Sequence, residues 1–341
     1  MAAGSALILA IGQSPARVWG ALLARTLGDA GGVAQVLFKA TPLLFTGLAV
    51  AIALRAGLFN IGVEGQLVAG LLACGVVGGA LPAATPGLIA VPLCLLAAAT
   101  AGGALGAATG ALRAWRGSHE VIVGILLNAI VGAVVLWLGD AYLFVGESTR
   151  TADVVDGARL ATIGPAGTAL NTAAPLALAA AAAIAWLFAR TRTGARWRAV
   201  GAAPDAAACA GGGVRRSMLT AMTLSGAIAG LAAAHYVLGY KYCYEDGVGR
   251  GAGFLGIAVA LLGRGHPGGV VAAALLLGLL SHGGLVVSDL VPKELFDVLT
   301  AVIILAVAAS TPMVRRRGLA ALTRGARRAG LSGVAADGGA P

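Results

Sequence analysis

Apolar blocks separated by short polar or basic punctuation run along almost the whole chain, and their lengths predict membrane-spanning helices rather than soluble elements. Residues 1–12 are apolar but too short to cross, since a helix needs about 20 residues to span roughly 30 Å. A first span that is truncated here, or that begins upstream, is the expectation. Residues 15–28, with Arg17, Trp19 and Arg25, read as an amphipathic interfacial helix with Trp19 at a membrane boundary. Further blocks cover 40–54, 57–81, 88–111, 120–145, 173–189, 219–240, 254–263, 269–288 and 295–312. With the truncated first segment this predicts an all-α, polytopic membrane protein of about ten spans.

Between the blocks, polar segments differ in charge. Residues 146–172 are mixed in sign (Glu147, Arg150, Asp153, Asp156, Arg159), and 241–253 is balanced, flanked by Tyr240, Tyr242 and Tyr244. The segment from Arg190 to Ser217 is basic, with Arg190, Arg192, Arg196, Arg198, Arg215 and Arg216. Placing it in the cytoplasm with the basic 112–119 turn and the C-terminal tail satisfies the positive-inside rule, and puts both termini inside. Within it, Pro204 and Asp205 start a short helix through Ala206, Ala207 and Ala208, because proline is tolerated in a first turn and an acid complements the dipole. Gly211-Gly212-Gly213 ends it. The organisation is one transmembrane domain over 1–312, with 190–218 as its main cytoplasmic loop, and a basic tail over 313–341 expected to be disordered.

Composition agrees. Of 341 residues, 59% are hydrophobic and 11% charged, against about 25% charged in a soluble domain. The 53 glycines suit close helix packing in lipid, where small residues let backbones approach. The net charge of +10 sits in loops and tail, so it marks topology and not nucleic-acid binding. Cys74, Cys94, Cys209 and Cys243 lack CxxC or metal-ligand spacing and read as packing residues. Residues 1–12 have no basic n-region or clear cleavage site, so no cleavable signal peptide is evident.

Against this background one stretch stands out: Arg55-Ala56-Gly57-Leu58-Phe59-Asn60-Ile61-Gly62-Val63-Glu64-Gly65-Gln66. If 57–81 is one helix, Asn60 and Glu64 share a face, while Gly62, Gln66 and Gly70 line another and admit a neighbouring helix. A central acid costs about 2.5–3.5 kcal/mol on insertion scales, against roughly 0.3–0.6 returned by each Leu or Val. Such residues face the bundle interior, a partner or water, and mark a substrate or ion path. The plainer reading makes Glu64 neutral, or pairs it with Arg55. Asn128 is the mid-span amide of 120–145. Ala56–Val63 also echoes Ala252–Val259, and the topology runs the two in opposite directions. Short, Gly/Pro-interrupted segments in an inverted pair point to a midplane site built from broken helices.

Enzyme signatures are absent: no Walker A loop, HExxH or GxSxG. His119 stands at a span entrance, His266 in a turn, and His235 and His282 are isolated, which reads as packing. An intramembrane transferase would need clustered acids or histidines that the chain lacks. An ion- or proton-coupled secondary transporter with Glu64 as its proton site fits an inverted repeat and an intramembrane acid.

The run Gly57–Gln66 (GLFNIGVEGQ) resembles the signature of ABC-importer permeases for nucleosides, in the group that includes branched-chain amino acid and simple-sugar permeases. The resemblance continues through Lys39–Gly57, Ser118–Ile130, Arg198–Ala234 and Gly253–Gly278, most of residues 13–290. It implies an all-helical permease of about ten spans in a bacterial inner membrane, working with a second permease subunit, often in a heterodimer. It further implies ATPase subunits and an extracellular substrate-binding lipoprotein. ATP would be bound by those partners, so this chain needs no cofactor. Pro204, Asp205, Ala206, Ala207 and Gly211 resemble the helix that docks in the ATPase. Phe59, Asn60, Glu64 and Gln66 fall on the signature beside the translocation path, and Asn128 matches the asparagine of an MLN-type motif. The chain departs from the family in its short first segment, and in Ala129 where an aromatic is common.

Overall fold

The structure, a computed structural model, describes residues 2–305. The tail at 313–341 and the end of the block at 295–312 lie outside the described residues. Two short helices, α1 (Ala2–Ala10) and α2 (Pro15–Leu27), precede the long helices α3 (Ala30–Arg55), α4 (Val63–Ala80), α5 (Gly87–Arg116) and α6 (Glu120–Leu138). After a π-helical turn at Gly139–Leu143 come α7 (Ala173–Arg190), α8 (Arg192–Ala202), α9 (Pro204–Cys209) and α10 (Val214–Gly230). A π-helical stretch, Ala234–Lys241, leads to α11 (Ala252–Leu262) and α12 (Pro267–Val286). Residues 294–305 form α13. Among the described residues there is no strand, only isolated bridges.

Among the described residues, seven helical segments are long and apolar enough to cross a membrane: Ala30–Arg55, Val63–Ala80, Gly87–Arg116, Glu120–Leu143, Ala173–Arg190, Val214–Lys241 and Pro267–Val286. The other segments counted toward the expected ten are α1, with 9 residues, α11, with 11, and the partly described block at 295–312. Three expected boundaries move. The 40–54 block is the second half of the 26-residue α3, which carries Pro42 internally. The 57–81 block is not one helix, because residues 56–62 break it. The 190–218 segment is not an open loop, because the 11-residue α8 lies within it and buries Trp197, whose indole N–H donates to Thr220 Oγ1 at 3.2 Å.

The core forms where glycines let backbones touch. A Cβ on Gly226 of α10 would strike the Gly102 carbonyl of α5, one on Gly106 would strike the Met222 carbonyl, and one on Gly230 the Ala98 carbonyl. One on Gly70 of α4 would come within 2.5 Å of the Gly230 Cα. α4, α5 and α10 thus make a wall in which packing, not hydrogen bonding between side chains, sets the distance. α3 is the central post: it is buried without interruption from Ala40 to Ala53. α6 is mostly uncovered and turns Ile122, Leu126, Ile130 and Trp137 outward.

At one end the 146–172 segment is folded down as a cap. Thr151 N–H donates to the Tyr244 carbonyl (2.9 Å), Val154 to Tyr242 (2.7 Å) and Leu160 to Leu238 (2.8 Å). Val154, Ala158 and Leu170 are buried. At the other end α8 meets the start of the 56–62 break. The 146–172 segment and α8 of the 190–218 segment therefore lie at opposite ends of α4. Trp19 packs edge-on against Phe296 (6.2 Å between centroids) and donates to Ser5 Oγ, so its partner is protein. Cys74, Cys94 and Cys243 are buried, as packing residues should be, whereas Cys209 is exposed.

Candidate functional site

A helix broken inside an apolar bundle leaves several N–H and C=O groups without intrahelical partners, and lipid offers them none. The 56–62 break presents that problem, and the signature residues answer it. Asn60 and Gln66 are almost fully buried, at 0% and 1% exposed. They form a reciprocal amide pair: Asn60 Nδ2 donates to Gln66 Oε1 (2.7 Å) and Gln66 Nε2 to Asn60 Oδ1 (3.2 Å). Asn60 Nδ2 also reaches Ser225 Oγ of α10 (2.8 Å), and Ser225 donates to the Ala49 carbonyl of α3 (2.6 Å). Asn128 of α6 bridges the break itself. Its Nδ2 donates to the Ile61 carbonyl (2.9 Å), while its Oδ1 accepts the Gly65 N–H (2.8 Å), an unpaired donor of the first turn of α4.

Glu64 does the same for a second helix. Its oxygens accept the N–H groups of Gly251 (2.6 Å) and Gly253 (2.8 Å), the N-cap and second residue of α11. A carboxylate at a helix N-terminus satisfies orphan donors and faces the positive end of the dipole. Gly253 permits the approach: a Cβ there would lie 2.6 Å from the Glu64 Cα. α11 also packs on α3, where Thr46 Oγ1 donates to the Ala252 carbonyl (3.0 Å). Thr46 and Ala49 precede the end of α3 by six to nine residues, about 9–14 Å along its axis. From this junction α4 runs toward the 146–172 cap. α11 runs the opposite way, bringing Gly265 beside Leu54. The two echoing segments are thus an inverted pair of half-helices whose N-termini meet at Glu64.

The expectation that Asn60 and Glu64 share a helix face is corrected by this geometry. Asn60 lies in the non-helical break and faces α10, whereas Glu64 is in the first turn of α4 and faces α11. The pairing of Glu64 with Arg55 does not occur either: the Arg55 guanidinium stacks over Phe188 at 5.0 Å. Phe59 is half-buried. Its backbone N–H points to Glu120 Oε1 (3.4 Å), and Glu120 Oε2 lies 3.4 Å from Arg113 Nε.

Glu64 and Asn128 line a cleft of ≈ 460 Å³ with Tyr244, Asp246, Arg250 and Phe254. That size falls within the roughly 300–1,000 Å³ of small-molecule sites. Burial pushes the Tyr244 phenol above its ordinary value, so it stays a hydroxyl donor there. Asn60 and Gln66 do not reach this cleft.

At the far end of the break, Gly57 (φ +74°) lies against α8: a Cβ on Gly57 would come within 2.9 Å of the Gly201 Cα. A Cβ on Gly201 would meet the Arg55 carbonyl oxygen at 2.6 Å. Three residues further, the chain enters α9, a real helix of 6 residues beginning at Pro204 with Asp205 in its first turn. Gly211 follows in the left-handed region (φ +71°). Ala207 is buried against its neighbours. Sequence reasoning missed Ser225, Glu120, Gly201 and Gly251 as parts of this machinery. Only Glu120, a carboxylate at a span entrance, carried a legible signal.

These features define a polytopic membrane protein with inverted broken helices around a polar junction and a short helix presented at one end. The chain belongs to the family described as branched-chain amino acid transport system / permease component, whose model matches residues 32–308. It is 39% identical to the guanosine ABC transporter permease protein NupP of Bacillus subtilis, over 91% of this chain and 90% of that one. It is 32% identical to the nucleoside ABC transporter permease protein NupB of Lactococcus lactis (89% and 86% covered). It is also 32% identical to the glucose ABC transporter permease protein TsgB13 of Haloferax volcanii (89% and 83%). No solved structure matches it significantly. These relatives do not favour the ion-coupled alternative.

Proposed function

We propose that this chain is a permease subunit of an ATP-driven importer that moves nucleosides across a bacterial inner membrane, with both termini cytoplasmic. Its partners are ATPase subunits that bind the nucleotide, a second permease subunit in a heterodimer, and an extracellular substrate-binding lipoprotein. The observation that carries the reading is the backbone contact between Gly201 and the Arg55–Gly57 turn. It joins the segment leading into α9 to the break that precedes Glu64. Movement of an ATPase against Pro204, Asp205, Ala206, Ala207 and Gly211 then reaches the junction without a flexible intermediary. Re-packing of α4 against α11 opens the path to one side or the other. ATP can bias the two states only through contacts that differ between them, and the α9 end supplies such a contact. The 39% identity to a guanosine permease supports a nucleoside cargo.

Uptake of labelled guanosine by cells with and without the gene, repeated with the membrane gradient collapsed and ATP maintained, tests the reading. Gene-dependent uptake that survives the uncoupler is expected. Uptake that vanishes with the gradient overturns it and returns Glu64 to the role of proton site. Bulky residues at Asp205 or Gly211 should abolish uptake while leaving nucleoside affinity of the binding protein unchanged, and normal uptake by those variants removes α9 from the mechanism.

A further inference from the structure

We propose that a second cleft, across the α11 N-terminus from the one lined by Glu64, receives the base of the nucleoside during passage, with the His235 imidazole as its hydrogen-bonding partner. The assignment rests on the nucleoside reading above and adds to it where, and by which group, the cargo is recognised. This cleft, of ≈ 490 Å³, lies between α3, the π-helical stretch, α12 and α13. Arg250 and Ala252 border it as well, so it flanks the same junction.

His235 is 1% exposed, yet neither Nδ1 nor Nε2 has a hydrogen-bond partner among the described residues. A neutral imidazole carries one donor and one acceptor, and buried polar groups are rarely left unmade. One water would occupy a small part of a space this large. The edge of a nucleobase offers a donor and an acceptor together, matching what the imidazole lacks.

The wall around His235 is aromatic. Phe38 lies 4.4 Å from His235 between centroids, tilted 48°, and Tyr236 lies 5.0 Å away, edge-on at 78°. Offset and edge-on ring contacts are the favoured aromatic geometries. His235 and Tyr236 belong to the π-helical stretch Ala234–Lys241, and such widened turns occur frequently at functional sites.

The rim is polar. Lys39, Ser281, Asp297 and Thr300 face the space from α3, α12 and α13. Among the described residues neither Lys39 nor Asp297 has an ion-pair partner. A lysine ten residues into a spanning helix is expensive in lipid and belongs beside water or a ligand. Hydroxyl groups of a ribose can donate to the carboxylate and accept from the ammonium. A sugar without a base would use this rim but leave the imidazole and rings idle, which is why the geometry points to a nucleoside.

The test replaces the gene in its host with His235→Phe and His235→Gln, and measures guanosine uptake below saturation together with membrane abundance. His235→Phe should lower uptake by about tenfold or more at unchanged abundance, the loss expected for one buried hydrogen-bonding edge. His235→Gln should recover part of it. In a Cys209→Ser background, Ser281→Cys should react with a water-soluble, membrane-impermeant thiol reagent, and guanosine should slow the reaction. That second readout decides the matter if His235→Phe fails to accumulate. Undiminished uptake by His235→Phe beside a transporting wild type overturns the proposal and leaves the nucleoside reading intact. So does a Ser281→Cys that is unlabelled, as in a lipid-filled cleft, or labelled at a rate guanosine does not alter. A wild type that carries no nucleoside defeats the cargo reading itself, and the base assignment with it.

Discussion

Helix α4 takes part in two regions built on opposite principles. From Gly70 onward it joins the wall it shares with α5 and α10, where backbones meet over Gly102, Gly106, Gly226 and Gly230. Its first turn belongs to the junction, where Glu64, Asn128, Asn60 and Gln66 pair with each other, with the Ser225 hydroxyl or with backbone of other elements. The wall depends on dispersion at close approach, which is lost outright when a side chain intervenes. The junction depends on hydrogen bonds, each small on net and each replaceable by a water or another partner. A region of the first kind holds a shape, and one of the second kind can change it. The wall is therefore the frame against which the junction re-packs.

The largest effect should come from breaking the wall. Gly226→Leu places carbons where the Gly102 carbonyl and the Gly106 Cα stand. Neither is a flexible side chain that can swing away. Overpacking of this kind costs about 1–3 kcal/mol when side chains can yield, and more when backbone must. Folded protein extracted from membranes should fall to a small fraction of wild type, read by size-exclusion profile. Normal yield with lost transport would mean that the wall itself moves.

Gly201→Val should act on coupling instead. The added carbon meets the Arg55 carbonyl oxygen at 2.6 Å and the Gly57 nitrogen at 2.7 Å, pushing α8 off the break while α5 and α10 stay packed. Uptake should fall by about 5- to 150-fold, the usual range of coupling between sites, at near-normal abundance. Unchanged uptake would disconnect α9 from the junction.

The wall and the junction were not equally legible in sequence. Glu64 stands out in the sequence because an acid in an apolar block demands a reason, and the echo between Ala56–Val63 and Ala252–Val259 points to broken helices. Periodicity alone, however, ran 57–81 as one helix. Gly57 and Gly62 are compatible with a membrane helix, and the residues that reward a break there (Ser225, Asn128, Gly251) are remote in sequence. The glycine wall was legible only as composition: 53 glycines promise close packing without saying which helices touch. The capping role of 146–172 was hidden for a related reason. Its mixed charges resemble a solvated loop, and the buried Val154 and Ala158 are too few to signal packing. The short α9 was read in full because proline, acid and glycine punctuation are local signals.

Glu64→Gln sharpens the junction side. The amide keeps one acceptor but turns its NH₂ toward one of the N–H groups of Gly251 and Gly253, and it removes the charge from the α11 N-terminus. A hydrogen bond to a charged group is worth about 1.5–3 kcal/mol. The purified subunit should melt several degrees lower, and uptake should fall in proportion without a change in its pH profile. A flattened pH profile would instead identify Glu64 as a titrating transport group.

The smallest effect should come from Thr46→Val, which keeps shape and removes one hydroxyl. Thr46 Oγ1 donates to the Ala252 carbonyl at 3.0 Å and also lies 3.1 Å from the carbonyl of Pro42 in its own helix. Its single proton is shared between the two, so losing it costs less than a full interhelical bond. Hydrogen bonds between membrane helices average about 0.6 kcal/mol in double-mutant cycles, which corresponds to roughly threefold in an equilibrium. Uptake within about threefold of wild type is expected, with Thr46→Ser indistinguishable from it. A loss as large as that of Glu64→Gln would mean that α11 is held by α3 rather than by the carboxylate. The moving element would then be α4, swinging away from a fixed pair of α3 and α11.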